Sequence, residues 1–136
     1  MVASVLVDAG FLVVLLSRRD SHHAWAAAMA ERYPPPWKTC EAALSEAVHL
    51  LGPVHRHALH GLLERKAVTA PFDLDEDLAP VLKLLRKYAD VPVSLADAAL
   101  VRMTETLADP IVLTTDADFR VYRRHGRQIV PCILPS

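Results

Sequence analysis

Apolar positions along the chain fall into two rhythms: short unbroken runs, and longer stretches spaced by three or four residues. The run "ASVLVD" (Ala3 to Asp8) is apolar on both faces, the pattern of a central strand covered on each side in a parallel sheet. "AGFLVVLLSRR" follows as a buried helix, then "DSHHAWAAAMAERY" as an alanine-rich second helix with Asp20 or Ser21 as N-cap. "PPP" (Pro34 to Pro36) breaks the pattern but is too short for a domain linker. "TCEAALSEAVHLLG" predicts a helix bounded by Thr39 and Gly52-Pro53, "VHRHALHGLLERK" another, and "AVTAPF" a short strand. "DEDLAPVLKLLRKYAD" begins on acids and ends on Lys and Arg, which suits a helix dipole. "SLADAALVRMTETLAD" is helical with Ser94 as N-cap, and "PIVLTT" is a second apolar strand. "ADFRVYRRHG" reads as a short helix or turn, and "RQIVPCIL" as a final strand that Pro131 assigns to a sheet edge.

Strands alternating with helices predict an α/β protein, a three-layer α/β/α sandwich around a mostly parallel central sheet. The 136 residues fit a single domain, 1–136, and 52% hydrophobic residues with only 4 glycines predict a packed core. Net charge is -1, from 15 basic and 16 acidic residues, so no broad basic field attracts nucleic acid. RNA would have to be held by local basic patches or bound cations. Cys40 and Cys132 form no CxxC pair, which argues against a disulfide framework or a zinc site and suits a reducing cytosol. "VLVDAGFLVVLLS" has no basic leader and carries Asp8, so it is not read as a signal peptide. No stretch is apolar for long enough to span a membrane, and a cytoplasmic location without a membrane partner is expected.

Four acids stand out by their neighbours. Asp8 ends the first apolar strand and Asp116 follows another, "IVLTT". Each could be a turn or cap residue, but ligands in open α/β sheets bind at the carboxyl ends of strands. Glu46 shares a helical face with Ala43, Ala47 and Leu50, either buried among them or exposed at the edge of that stripe. Asp97 sits in the first turn of its helix, where an acid is also explained by the dipole. Together the four can form an oxygen-only pocket. Clustered carboxylates repel and one would protonate, unless a hard divalent cation such as Mg²⁺ or Mn²⁺ relieves them. Such a site favours phosphodiester hydrolysis.

With "VLVDAGFLVVLL", "ALSEAVHLL", "VSLADAALVRM" and "VLTTDADFRVY" in that order, essentially the whole chain resembles the PIN domain of VapC-like ribonuclease toxins. The motif Thr-x-Asp-x-Asp-Phe is its most specific element. The resemblance implies a metal-dependent endoribonuclease with Asp8, Glu46, Asp97 and Asp116 as the catalytic, metal-holding acids. It also implies attack on the phosphate by an activated water, leaving a 5′-phosphate and a 3′-hydroxyl. A cognate antitoxin whose C-terminal segment wraps the toxin, and a homodimer, are further implications. On this reading Asp118 supports the metal-holding acids or binds a second metal, or else it is the N-cap of "FRVYRRHG". Asp109-Pro110 stands where the family often has Gly-Ala, which leaves the path of that loop open.

Other residue groups compete for a role. Arg120, Arg123 and Arg124 lie close in sequence to Asp116 and could hold RNA phosphates, or form a solvated basic turn. Of His49, His55, His57 and His60, the last two could share a helical face, but no Cys or acid completes a zinc set. Trp25 and Trp37 are expected in packing rather than base stacking. A haloacid-dehalogenase-type phosphatase would need a second acid where Gly10 stands, and no glycine-rich loop supports a dinucleotide site. A PIN-fold binding module without catalysis, or a nuclease of RNA processing, are the remaining alternatives.

Overall fold

The computed structural model describes residues 3–136. Five short strands form one parallel sheet: β1 (Ser4–Val7), β2 (Trp37–Lys38), β3 (Val68–Thr69), β4 (Pro110–Leu113) and β7 (Cys132–Ile133). Their spatial order is β3-β2-β1-β4-β7. β5 (Arg123–Arg124) and β6 (Gln128–Ile129) pair separately as an antiparallel hairpin. The segment "RQIVPCIL" is therefore two strands serving two sheets, and Pro131 sits just before the edge strand β7. β2 had no periodicity to announce it, because two residues are too few to show one.

The alternation along β1 sorts the helices into two layers. Leu6 and Val112 turn to one face, where they pack with Val81, Leu84 and Tyr88 of α4 (Leu78–Lys87) and its end, and with Leu100 and Met103 of α5 (Leu95–Thr106). Val5, Val7 and Leu113 turn to the other face. There they meet Phe11 and Leu12 of α1 (Ala9–Leu16), Ala26 of α2 (His23–Arg32), and Ala47 and Leu59 of α3 (Glu41–Glu64). The result is the expected α/β/α sandwich. Each large side chain buried this way contributes about 1.5–3 kcal/mol, and Trp37 belongs to it, its ring 5.5 Å from that of Phe11.

Local chemistry sets where the helices begin and break. Gly52 leaves the helical region at φ 69°, so α3 is two helical segments meeting at the Gly52-Pro53 step. α2 starts later than expected. Neither Asp20 nor Ser21 caps it; its cap position is His22, and the Asp20 carboxylate accepts from the His22 amide at 2.9 Å. The acids ahead of α4 likewise lie outside its first turn, and Asp77 is bound to Arg102 at 2.9 Å instead. Ser94 does cap α5, in a reciprocal capping box with Asp97. Asp109 takes up the left-handed conformation, φ 47°, and its carbonyl accepts from Ser4 at 3.0 Å. Asp thus reaches a backbone region usually given to glycine. No helix among the described residues is long and apolar enough to cross a membrane.

Candidate active site

β1 and β4 are neighbours, with Val7 opposite Leu113, so Asp8 and Thr114 follow side by side at the strands' carboxyl ends. The sheet grows outward from β1 in both directions at this point, which makes it the topological switch point where such sheets bind ligands. Asp8 is buried, only 7% exposed. Its Oδ1 accepts from the Phe11 amide at 2.8 Å, capping α1, while its Oδ2 accepts from the Thr114 hydroxyl. Cap and cluster member are the same residue; the carboxylate has an oxygen for each.

The Thr114 hydroxyl also accepts from the Asp116 amide at 2.9 Å, so one buried side chain fixes both strand-end acids. Asp116 Oδ1 in turn accepts from the Asp118 amide at 2.9 Å and caps the 3-10 turn Ala117–Arg120. The cap is therefore Asp116, not Asp118. An Asx turn needs the acid two residues before the amide it captures, which is where Asp116 stands. Gly10 lets these segments close together, since a Cβ there would collide with the Thr115 hydroxyl.

Asp97 reaches the same region from α5. Its Oδ2 accepts from the Tyr122 hydroxyl at 3.0 Å and, more distantly, from the Ser94 amide at 3.4 Å. Tyr122 is fully buried, with Phe119 and Tyr88 packed edge-on against its ring at 5.3 Å and 5.1 Å. Asp97 Oδ1 and Asp116 Oδ2 accept no hydrogen bond from the described residues.

The three aspartates feel one another. Burial pushes the Asp8 carboxyl up to about 6, and the charges of Asp97 and Asp116 push the same way against the Thr114 and Phe11 hydrogen bonds. Asp97 is raised too, by burial first and then by Asp116, against the Ser94 and Tyr122 hydrogen bonds. Burial and the Asp97 charge raise the Tyr122 hydroxyl, keeping it a proton donor.

This is an oxygen donor set with uncompensated negative charge, and it fits a hard divalent cation in charge and ligand type. As they stand, no three His, Cys, Asp or Glu side chains among the described residues converge on one point.

The sequence pattern that defines the PIN domain matches residues 5–124. The chain belongs to the PIN domain family. Among solved structures, Mycobacterium tuberculosis VapC20, described as a Sarcin-Ricin loop cleaving toxin, superposes with a TM-score of 0.72. The match covers 87% of this chain and 94% of that one at 22% sequence identity, a likeness of fold. Comparison with curated proteins gives no match.

Within this PIN domain the fourth acid stands apart. Glu46 is exposed on α3, although Ala43 and Ala47 of the same turns are buried. No hydrogen bond or ion pair among the described residues joins Glu46 to the aspartates. The arginines divide as well. Arg123 spends Nη1 on the carbonyls of Arg120, Val121 and Tyr122, and Arg124 donates to the Thr104 carbonyl with its Nε buried. Arg120 is exposed. His57 and His60 do share a face, rings 5.8 Å apart, and both are exposed. His23 joins α2 to α1 through the Val14 carbonyl at 3.0 Å. In the sequence Thr114 stands out only as the first residue of Thr-x-Asp-x-Asp-Phe, with no role of its own, and Tyr122 does not stand out. The signal available for Thr114 was its place two residues before Asp116; Tyr122 had none.

Proposed function

We propose that this PIN domain is an endoribonuclease toxin that hydrolyses RNA phosphodiester bonds with the help of Mg²⁺ or Mn²⁺ and is neutralised by a cognate antitoxin. The observation that carries the reading is the fixed pair Asp8–Thr114–Asp116 at the switch point, with Asp97 close enough to raise the Asp8 pKa. Asp8, Asp97 and Asp116 would hold the cation. When bound, such an ion lowers the pKa of water and offsets charge on a phosphoryl oxygen.

The chain's own residues set the stage. Thr114 holds Asp8 and Asp116 in register, and Tyr122 with Ser94 turns Asp97 so that Oδ1 is the oxygen without a donor. Asp8, buried at the base of the site, keeps its rotamer through the Phe11 amide. Water attacks phosphorus in line, the P–O3′ bond breaks, and the products carry a 5′-phosphate and a 3′-hydroxyl. An antitoxin, a homodimeric state and action in the cytoplasm complete the reading.

The test is cleavage of RNA by purified protein freed of any bound partner, with Mg²⁺ or Mn²⁺ supplied. Cleavage giving 5′-phosphate ends, lost in a folded Asp116→Asn variant, is expected. A folded wild type that leaves RNA intact with both ions overturns the nuclease reading. Cleavage that no neighbouring gene product suppresses would point to RNA processing instead of a toxin.

A further inference from the structure

Clustered aspartates repel the backbone they are to cut, so the RNA must be held by cations beside them. The two flanks of the site differ in charge. On one flank, a cleft of about 770 Å³ lies between the start of α3, the β3–α4 segment and the start of α5. Glu41, Asp73 and Asp75 line it beside Phe72 and Leu74. Among the described residues both salt bridges are made by Arg102, to Asp77 and Glu105, so no salt bridge neutralises the acids of the cleft.

On the other flank, the end of α4 meets the β5–β6 hairpin. Val81, Leu84 and Tyr88 bury one face of α4 and its end, leaving Lys83, Arg86 and Lys87 exposed on the opposite one. Lys87 Nζ donates to the Gly126 carbonyl at 2.7 Å, joining helix and hairpin, and exposed Arg127 follows in the hairpin turn. Two buried tyrosine rings connect this basic surface to Asp97 through the interior, while Arg124 and His125 of the hairpin reach Thr104 and Glu105 at the far end of α5. Lys87 Nζ lies 5.4 Å from the Tyr88 ring centre, Tyr88 packs on Tyr122 at 5.1 Å, and the Tyr122 hydroxyl donates to Asp97 at 3.0 Å. The acids nearby are few: exposed Asp90, half-buried Asp118, and Glu105, which is occupied by Arg102 and the His125 amide.

We propose that RNA runs from the aspartate cluster over the end of α4 and the β5–β6 hairpin, with Lys83, Arg86, Lys87 and Arg127 holding its phosphates, and avoids the acidic cleft. The proposal rests on the nuclease reading and assigns its substrate path. Arg123, with Nη1 shared among three backbone carbonyls, and Arg124, with Nε buried, brace the hairpin, whereas exposed Lys87 gives one of its three N–H donors to Gly126 and keeps two for phosphate.

Fluorescence anisotropy of a labelled mixed-sequence single-stranded RNA, titrated with the Asp116→Asn protein over a salt series, tests it. Adding Lys83→Gln, Lys87→Gln and Arg127→Gln together should weaken binding about tenfold or more. It should also flatten the salt slope by about 2, since each lost single-strand phosphate contact removes about 0.7. Asp73→Asn with Asp75→Asn should leave affinity within about twofold. Unchanged affinity and slope in the triple variant, with circular dichroism confirming its fold, overturns the proposal; so does a larger loss in the cleft variant. The two readings fail separately. A wild type that cleaves RNA, with a triple variant of equal KM, refutes the path alone. A wild type that binds along this path without cleaving refutes the nuclease alone.

Discussion

The carboxyl ends of β1 and β4 and the outer face of α3 each present carboxylates, under opposite conditions. Asp8 is buried, bonded through both oxygens and pushed up to about 6 by burial and by its neighbours' charges. Glu46 is exposed and makes no hydrogen bond among the described residues. A buried charge is costly unless something compensates it, and at the strand ends that compensation is the hydrogen bonds of Thr114 and Phe11 against burial and the neighbouring charges. An exposed charge on a helix is solvated by water and asks for nothing. The difference teaches that position in the fold, not residue type, sets how deeply a carboxylate is buried and how many hydrogen bonds hold it.

The sharpest way to break this contrast is to neutralise each side. Asp8→Asn should lower RNA cleavage by about 100-fold or more, the scale of losing an oriented metal-site group. Glu46→Gln should cost less than about tenfold, because an exposed charge acts through water at about 1 kcal/mol. Steady-state rates with Mn²⁺ measure both, and equal losses would erase the distinction.

Next in size is the bridge itself. Thr114→Val leaves the Asp8 carboxylate and Asp116 amide without their shared partner, at a cost of about 1–3 kcal/mol in urea unfolding. Thr114→Ser, which keeps the hydroxyl, should remain near wild type in stability and rate. Equal behaviour of the two variants would show that the bond does not matter.

The gentlest test is titration. The folded Asp8 holds its proton to about pH 6, while the unfolded one releases it near 3.8. Between those values the native state binds more protons, so stability falls as pH rises, by about 3 kcal/mol at most. Melting temperatures at low ionic strength should therefore drop from pH 4 to pH 6 more in wild type than in Asp8→Asn. Added Mn²⁺ should restore wild type at pH 7 and leave the variant nearly unchanged. A variant that loses stability in parallel with wild type would mean that Asp8 ionises freely in the fold.

Much of this architecture is written in local patterns. Doubly apolar "SVLV" and "PIVL" become β1 and β4, and "SLADAALVRM" carries its own cap in Ser94. Gly52-Pro53 marks the break inside α3. Short elements were less legible. β2 is two residues long, and its strand state comes from pairing with β1 and β3 rather than from any rhythm of its own. The start of α2 and the division of "RQIVPCIL" depend on which partner each segment finds.

By itself the sequence determined the alternation of strands and helices, and it placed Asp8 and Asp116 at strand ends, because burial on both faces and the change of rhythm are local properties. Only the tertiary structure decided how the acids sort. Register between β1 and β4 brings Asp8 beside Thr114, and α5 brings Asp97 to the Tyr122 hydroxyl. The turn of α3 leaves Glu46 in solvent, and the Asx turn gives the cap to Asp116 rather than Asp118. Burial and hydrogen-bond supply are sums over residues distant in the chain, so no local pattern contains them.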